Sequence, residues 1–150
     1  MNRIKALLIA GPLLLLSLSA QAANWVYVNK ASDGSTAYVD TETIDQLATG
    51  HIKYWYRFDY DTPRDTGTEQ IQTVVCLKEL DPSAREEKTL YVSCYTGPSM
   101  TGRVVATGDP QCGIDPLIPG TLADAVSNFV CERAGVKLEA LKQKKKTGNK

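Results

Sequence analysis

The chain has one histidine and four cysteines, and these limit the chemistry open to it. His51 follows Gly50 at the start of an alternating segment. A hydrolase of the serine type needs such a histidine beside a nucleophile, and no G-x-S-x-G elbow occurs. His51 therefore reads as a structural or solvent-facing residue. Cys76, Cys94, Cys112 and Cys131 make an even count, which in an oxidising compartment implies two disulfides with three pairings open. The close C-x-x-C pairs of a zinc site do not occur, and oxidised thiols are not nucleophiles. Asp59, Asp61 and Asp65 flank one loop, and Glu86 and Glu87 stand in another. Their spacing neither sets two carboxylates across a cleft nor completes a calcium loop, so they read as solvated charges. The expectation is a protein that is not an enzyme, with no catalytic residue, no metal ligand and no cofactor.

The aromatic residues suggest binding. Tyr54, Tyr56, Phe58 and Tyr60 alternate along one segment and read as core. Trp55 falls on the opposite face, between Lys53 and Arg57. Tyr91 and Tyr95 share a face of a later segment. An exposed patch of Trp55, Tyr91 and Tyr95 would suit a protein partner. The competing reading is that loops or a second subunit cover this face, which leaves a homo-oligomer open.

The elements that position these residues follow from pattern and punctuation. Trp25 to Val28 and Thr36 to Val39 flank Asp33-Gly34, a hairpin turn signal. Thr41 to Leu47 fits a helical turn or a loop. His51 to Tyr60, Glu69 to Leu80, Thr89 to Thr96 and Arg103 to Thr107 read as strands, with Asp61 to Gly67 as a loop and Asp81 to Lys88 as a charged connection. Asp109 to Gly120 is a proline-rich connector without regular structure. Thr121 then opens a helix in capping-box form, with Asp124 in the reach-back position. Leu122, Ala125, Val126, Phe129 and Val130 form its apolar stripe. Cys131 points away from that stripe on a continuous helix. Val136 to Lys146 is helix-prone and increasingly charged. The predicted fold class is α+β: about six strands in an antiparallel meander, packed on a C-terminal α-helix and stapled by disulfides.

Arg3 and Lys5 precede an apolar run from Ala6 to Leu18, and Ser19-Ala20-Gln21-Ala22 has the small-x-small form. This predicts a signal peptide over residues 1–22, cut between Ala22 and Ala23. The run is 13 residues long, short of the roughly 20 that span a bilayer. The first cysteine is Cys76, so no lipid-bearing cysteine follows the run. The expected location is the periplasm or the cell surface, with no lipid anchor and no transmembrane segment after cleavage. Residues 23–135 would form a single domain and residues 136–150 a helix-prone to disordered tail. Residues 23–140 hold 10 basic and 17 acidic side chains, a net charge of −7, which argues against nucleic acid. Five lysines fill the last ten residues and read as a solvated end.

Several of these features, in order, resemble the surface-adhesin protein E family of bacterial envelope proteins. They are Trp25, Asp33-Gly34, Tyr38-Val39-Asp40, Tyr54-Trp55-Tyr56, Cys76, Gly97-Pro98, Pro119-Gly120-Thr121 and Phe129-Val130-Cys131. The resemblance implies an antiparallel sheet packed on a C-terminal helix and tied by a disulfide. It implies pairing of Cys76 with Cys131, which leaves Cys94 with Cys112. It also implies adhesion, the binding of host extracellular-matrix or serum proteins. The alternative is a periplasmic accessory or inhibitor-like protein acting on another protein.

Overall fold

The computed structural model describes residues 23–110 and 113–140. The expected signal peptide, Cys112 and the lysine-rich tail lie outside the described residues. Among the described residues, eight strands form one antiparallel sheet: β1 (Trp25–Lys30), β2 (Ser35–Asp40), β3 (Asp45–Gln46), β4 (Ile52–Asp65), β5 (Gln70–Asp81), β6 (Glu86–Tyr95), β7 (Val104–Gly108) and β8 (Ile114–Pro116). The order across the sheet is β1-β2-β4-β5-β6-β7, with β3 beside β4 and β8 beside β6. This is the expected meander with two short additions. The turn Ala31–Gly34 joins β1 to β2, and Gly34 takes the positive φ of 82° that makes glycine the easy residue there.

Three elements differ from expectation. Asp61 to Asp65 belongs to β4, not to a loop. Its pairing with β5 is interrupted between Asp59 and Arg64 and resumes at Arg64↔Ile71, so a bulge lies between two ladders. The proline-rich connector contains β8, which pairs with Glu86–Lys88 of β6. The segment Thr41–Thr43 is a single 3-10 turn, as expected for this stretch. Residues 136–140 are not helical, and they lie back on the domain through the Glu139 N–H, which donates to Pro82 O.

Helix α1 (Leu122–Arg133) packs on β1, β2 and β4. Thr121 caps it by accepting from the Asp124 N–H, and the Asp124 carboxylate accepts in return from the Gly120 N–H, one residue earlier than a standard box. Its buried residues are Val126, Ser127, Val130 and Cys131. The buried stripe is thus rotated from the expected one. Phe129 is only half-buried and lies beneath the Arg133 guanidinium. Cys131 faces the core. The core unites Ala37, Val39, Ile52, Tyr54, Leu80, Leu117, Val126, Val130 and Cys131.

The disulfide staple is a correction. Cys76, Cys94 and Cys131 are all free thiols in the structure. Cys131 packs among the residues under the helix, whereas Cys76 is buried in β5 outside that cluster. The 76–131 link is therefore not formed. The 94–112 link cannot be described, because Cys112 lies outside the described residues.

Candidate functional site

A strand sends alternate side chains to opposite faces, so β4 supplies two different surfaces. Tyr54, Tyr56, Phe58 and Tyr60 face the helix, and Lys53, Trp55, Arg57 and Asp59 face away from it. On the far face, Trp55 pairs with Leu77, which pairs in turn with Tyr91. The Trp55 and Tyr91 rings meet edge to face with centroids 5.8 Å apart. Tyr95 lies four residues further along β6 on the same face, opposite Thr73. The structure thus joins Trp55 and Tyr91 directly and sets Tyr95 farther along their strand. All three are half-buried.

The same face carries a second aromatic group that the sequence reading missed. The Arg57 guanidinium lies 4.3 Å from the Tyr38 ring centroid and 5.2 Å from that of Trp25. Tyr27 meets Tyr38 edge to face at 6.1 Å and is 56% exposed. Arg57 is buried and pairs with Asp59 at 3.3 Å. Asp59 also accepts from the Thr73 hydroxyl at 2.6 Å and the Ser99 N–H at 3.2 Å. The signal was available in principle, since Tyr38 sits between the core-type positions Ala37 and Val39 and so must face away from them. The resulting surface is a row of rings with a fixed cation at its centre, suited to large, rigid contacts.

The helix-side face differs. Tyr54, Tyr56, Phe58 and Tyr60 form a ladder with successive centroids 6.4, 5.6 and 5.2 Å apart. Tyr54 is fully buried, as expected of core. The other three are half-buried and line a cleft of about 250 Å³ against Leu122, Ala123 and Val126. Glu87 also lines it. Glu87 is a correction: it is buried in β6 and takes the Lys78 ammonium at 2.6 Å. Burial drives the Tyr54 and Tyr56 hydroxyls well above their usual pKa, so both stay protonated.

His51 lies apart from both faces' aromatic groups. Its Nδ1 is 2.7 Å from Glu79 and its Nε2 is 3.5 Å from Asp81. Ser83 donates its hydroxyl to Asp81, not to the histidine. A triad needs one imidazole nitrogen free for the nucleophile, and here carboxylates face both. Burial raises the Cys76 and Cys131 thiols to about 11, which removes the thiolate needed for nucleophilic attack. Asp61 pairs with Lys30 at 2.6 Å, and Asp65 accepts from the Gly67 N–H.

Fold and site together define a class: a small antiparallel sheet domain, backed by one C-terminal helix and bearing an aromatic surface on its other face. The sequence model of the family described as surface-adhesin protein E matches residues 25–132, and the chain belongs to that family. It is an adhesin-like protein of the cell envelope. Solved structures of Haemophilus influenzae protein E share the fold. Crystal form II is 15% identical with a TM-score of 0.56, covering 74% of this chain and 89% of that one. Another is 14% identical with a TM-score of 0.52, covering 73% and 86%. Comparison with curated proteins gives no match. Among the described residues, no helix is long and apolar enough to cross a membrane.

Proposed function

We propose that this is a non-enzymatic binding module, exported by its signal peptide, that engages host extracellular-matrix or serum proteins through the face of the sheet opposite α1. The observation that carries this reading is the Trp55–Tyr91 contact on that face, continued by Trp25, Tyr27 and Tyr38 around Arg57. Tryptophan, tyrosine and arginine dominate binding energy at protein interfaces, and strands hold them with little entropy left to lose. Family membership supports adhesion as the use of such a surface. A second reading is a periplasmic protein that binds another envelope protein. It rests on the position of the first cysteine, Cys76, far from where a lipid would be attached.

Two experiments test the proposal. Trypsin treatment of intact cells, with released peptides identified by mass spectrometry, is expected to yield peptides from the domain while a periplasmic control stays intact. Recovery of the protein only after osmotic shock would favour the second reading. The purified domain is then screened against immobilised matrix and serum proteins. Trp55→Ala and Tyr91→Ala are expected to weaken capture at least about tenfold while the domain stays folded, with melting temperature lowered by several degrees for the lost ring contact. Capture that survives both substitutions would place binding elsewhere.

A further inference from the structure

The cleft beside α1 has a polarity of its own. Its polar lining is Asp33, Ser35, Arg64 and Glu87, of which Glu87 is the buried carboxylate, its side chain 8% exposed. One oxygen takes the Lys78 ammonium at 2.6 Å, and the other receives only a long 3.4 Å bond from the Tyr54 hydroxyl. A carboxylate offers about four acceptor positions, so accepting capacity remains. A wholly apolar group would leave that oxygen poorly satisfied. A donor suits it.

The walls select further. Ring faces attract cations, and the chain already places two of its own on this ladder. The Lys78 ammonium lies 5.6 Å from the Tyr56 centroid, and the Arg64 guanidinium lies 4.3 Å from that of Tyr60, held there by Asp33 at 2.6 Å. Phe58 stands between them in the ladder. Opposite, Leu122, Ala123 and Val126 offer aliphatic surface for a stem. The volume of about 250 Å³ lies below the roughly 300–1,000 Å³ of sites that enclose whole small ligands. It fits one side-chain-sized group carried by a larger molecule. Residues 23–140 carry a net charge of −7, which the five lysines of the last ten residues reduce to −2, a balance that favours a basic partner over an acidic one.

We infer that the helix-side cleft, lined by Tyr56, Phe58, Tyr60, Leu122 and Glu87, receives an arginine or lysine side chain of a basic partner protein, with the cation on the ring ladder and its donors toward Glu87. This site lies on the opposite side of the sheet from Trp55 and Tyr91. Its failure and the failure of the adhesive face are therefore separately observable.

The test is an NMR titration of the full domain, following the ring resonances of Tyr56, Phe58 and Tyr60. The probes are acetyl-Leu-Arg-Leu-amide, the same peptide with citrulline replacing arginine, and butylguanidinium. The arginine peptide is expected to bind saturably near about millimolar concentration, and at least about tenfold more tightly than the neutral citrulline peptide. Phe58→Leu, which keeps apolar bulk, is expected to weaken it by about fivefold with melting temperature within a few degrees of the parent. Trp55→Ala is expected to leave it unchanged. Equal binding of the arginine and citrulline peptides, or shifts confined to residues outside the cleft, would overturn the cationic assignment. Butylguanidinium binding as tightly as the peptide would overturn the assignment to a partner's side chain in favour of a free organic cation.

Discussion

His51 sits between two carboxylates, and this gives stability a pH dependence near neutrality. The hydrogen bond that His51 donates to Glu79 raises its pKa above the ordinary value. Burial partly opposes that shift, and the charge of Asp81 adds to it. The folded protein thus holds this proton more tightly than the unfolded chain does. The stabilisation is complete below the unfolded pKa of about 6.5 and is lost as pH rises through the higher folded value. Melting temperature is expected to fall as pH is raised from about 6 to about 8, and His51→Gln should flatten that fall. An unchanged slope in the variant would assign it to other groups. Lys78 and Glu87 make a second residue-level case. Either single change, Lys78→Met or Glu87→Leu, strands a buried charge and is expected to cost about 3–5 kcal/mol. The double variant should recover most of that loss, because two apolar side chains leave no charge unpaired. Chemical denaturation of the three proteins measures both outcomes.

At the scale of elements, the helix depends on its first turn. Thr121→Ala removes the acceptor for the Asp124 N–H and is expected to destabilise by about 1 kcal/mol. Leu80→Ala, at a fully buried position beneath the helix, should cost about 2–5 kcal/mol. If denaturant midpoints show the cap change to be the larger, the core does not sit where the sheet and helix meet. These elements were legible in the sequence where a period was long and unbroken. The alternation from Ile52 to Tyr60 placed Tyr54 in the core and Trp55 opposite. The pattern failed where pairing partners decide the structure. The stretch from Asp61 to Asp65 is polar and contains Pro63, yet it continues β4 because Gln70 and Ile71 offer it a ladder. Residues 114–116 form a strand only because the first residues of β6 present an open edge. Glu87 reads as solvated in a charged run, and only the register that sets Leu80 opposite it reveals an inward position beside Lys78. Arg57 was placed on the right face, but its cage needed Trp25 and Tyr38 from strands whose pairing the sequence does not state. The disulfide was inferred from an even count and a resemblance, neither of which measures the distance between Cys76 and Cys131.

For the whole molecule, the domain does not stop at its last helix. Val136 and Leu138 lie partly buried against the core, and Arg85 donates to Glu139 O at 3.0 Å while pairing with Asp124 at 2.6 Å. Arg85 therefore ties the turn between β5 and β6 to both the start of α1 and the chain beyond its end. A chain ending at Ala140 is expected to melt within a degree or two of the full-length protein. One ending at Ala134 should melt several degrees lower, at roughly 4 °C per kcal/mol lost in a domain of this size. Equal melting temperatures for the two truncations would show that residues 135–140 add nothing. The sheet itself is built from pairings distant in sequence, so refolding on the millisecond-to-second scale is expected.

Because β4 feeds both faces by strict alternation, its length is under a constraint of parity. A one-residue slip of this stretch against β5 would turn Trp55 and Arg57 inward and Tyr54 and Tyr56 outward, exchanging the contents of the two surfaces in a single event. The tip from Thr66 to Glu69 carries no such constraint, since lengthening it adds only a slowly growing closure entropy. Lineages of this domain are thus free to vary in reach at the hairpin tip, while the stretch that serves both surfaces must keep its count.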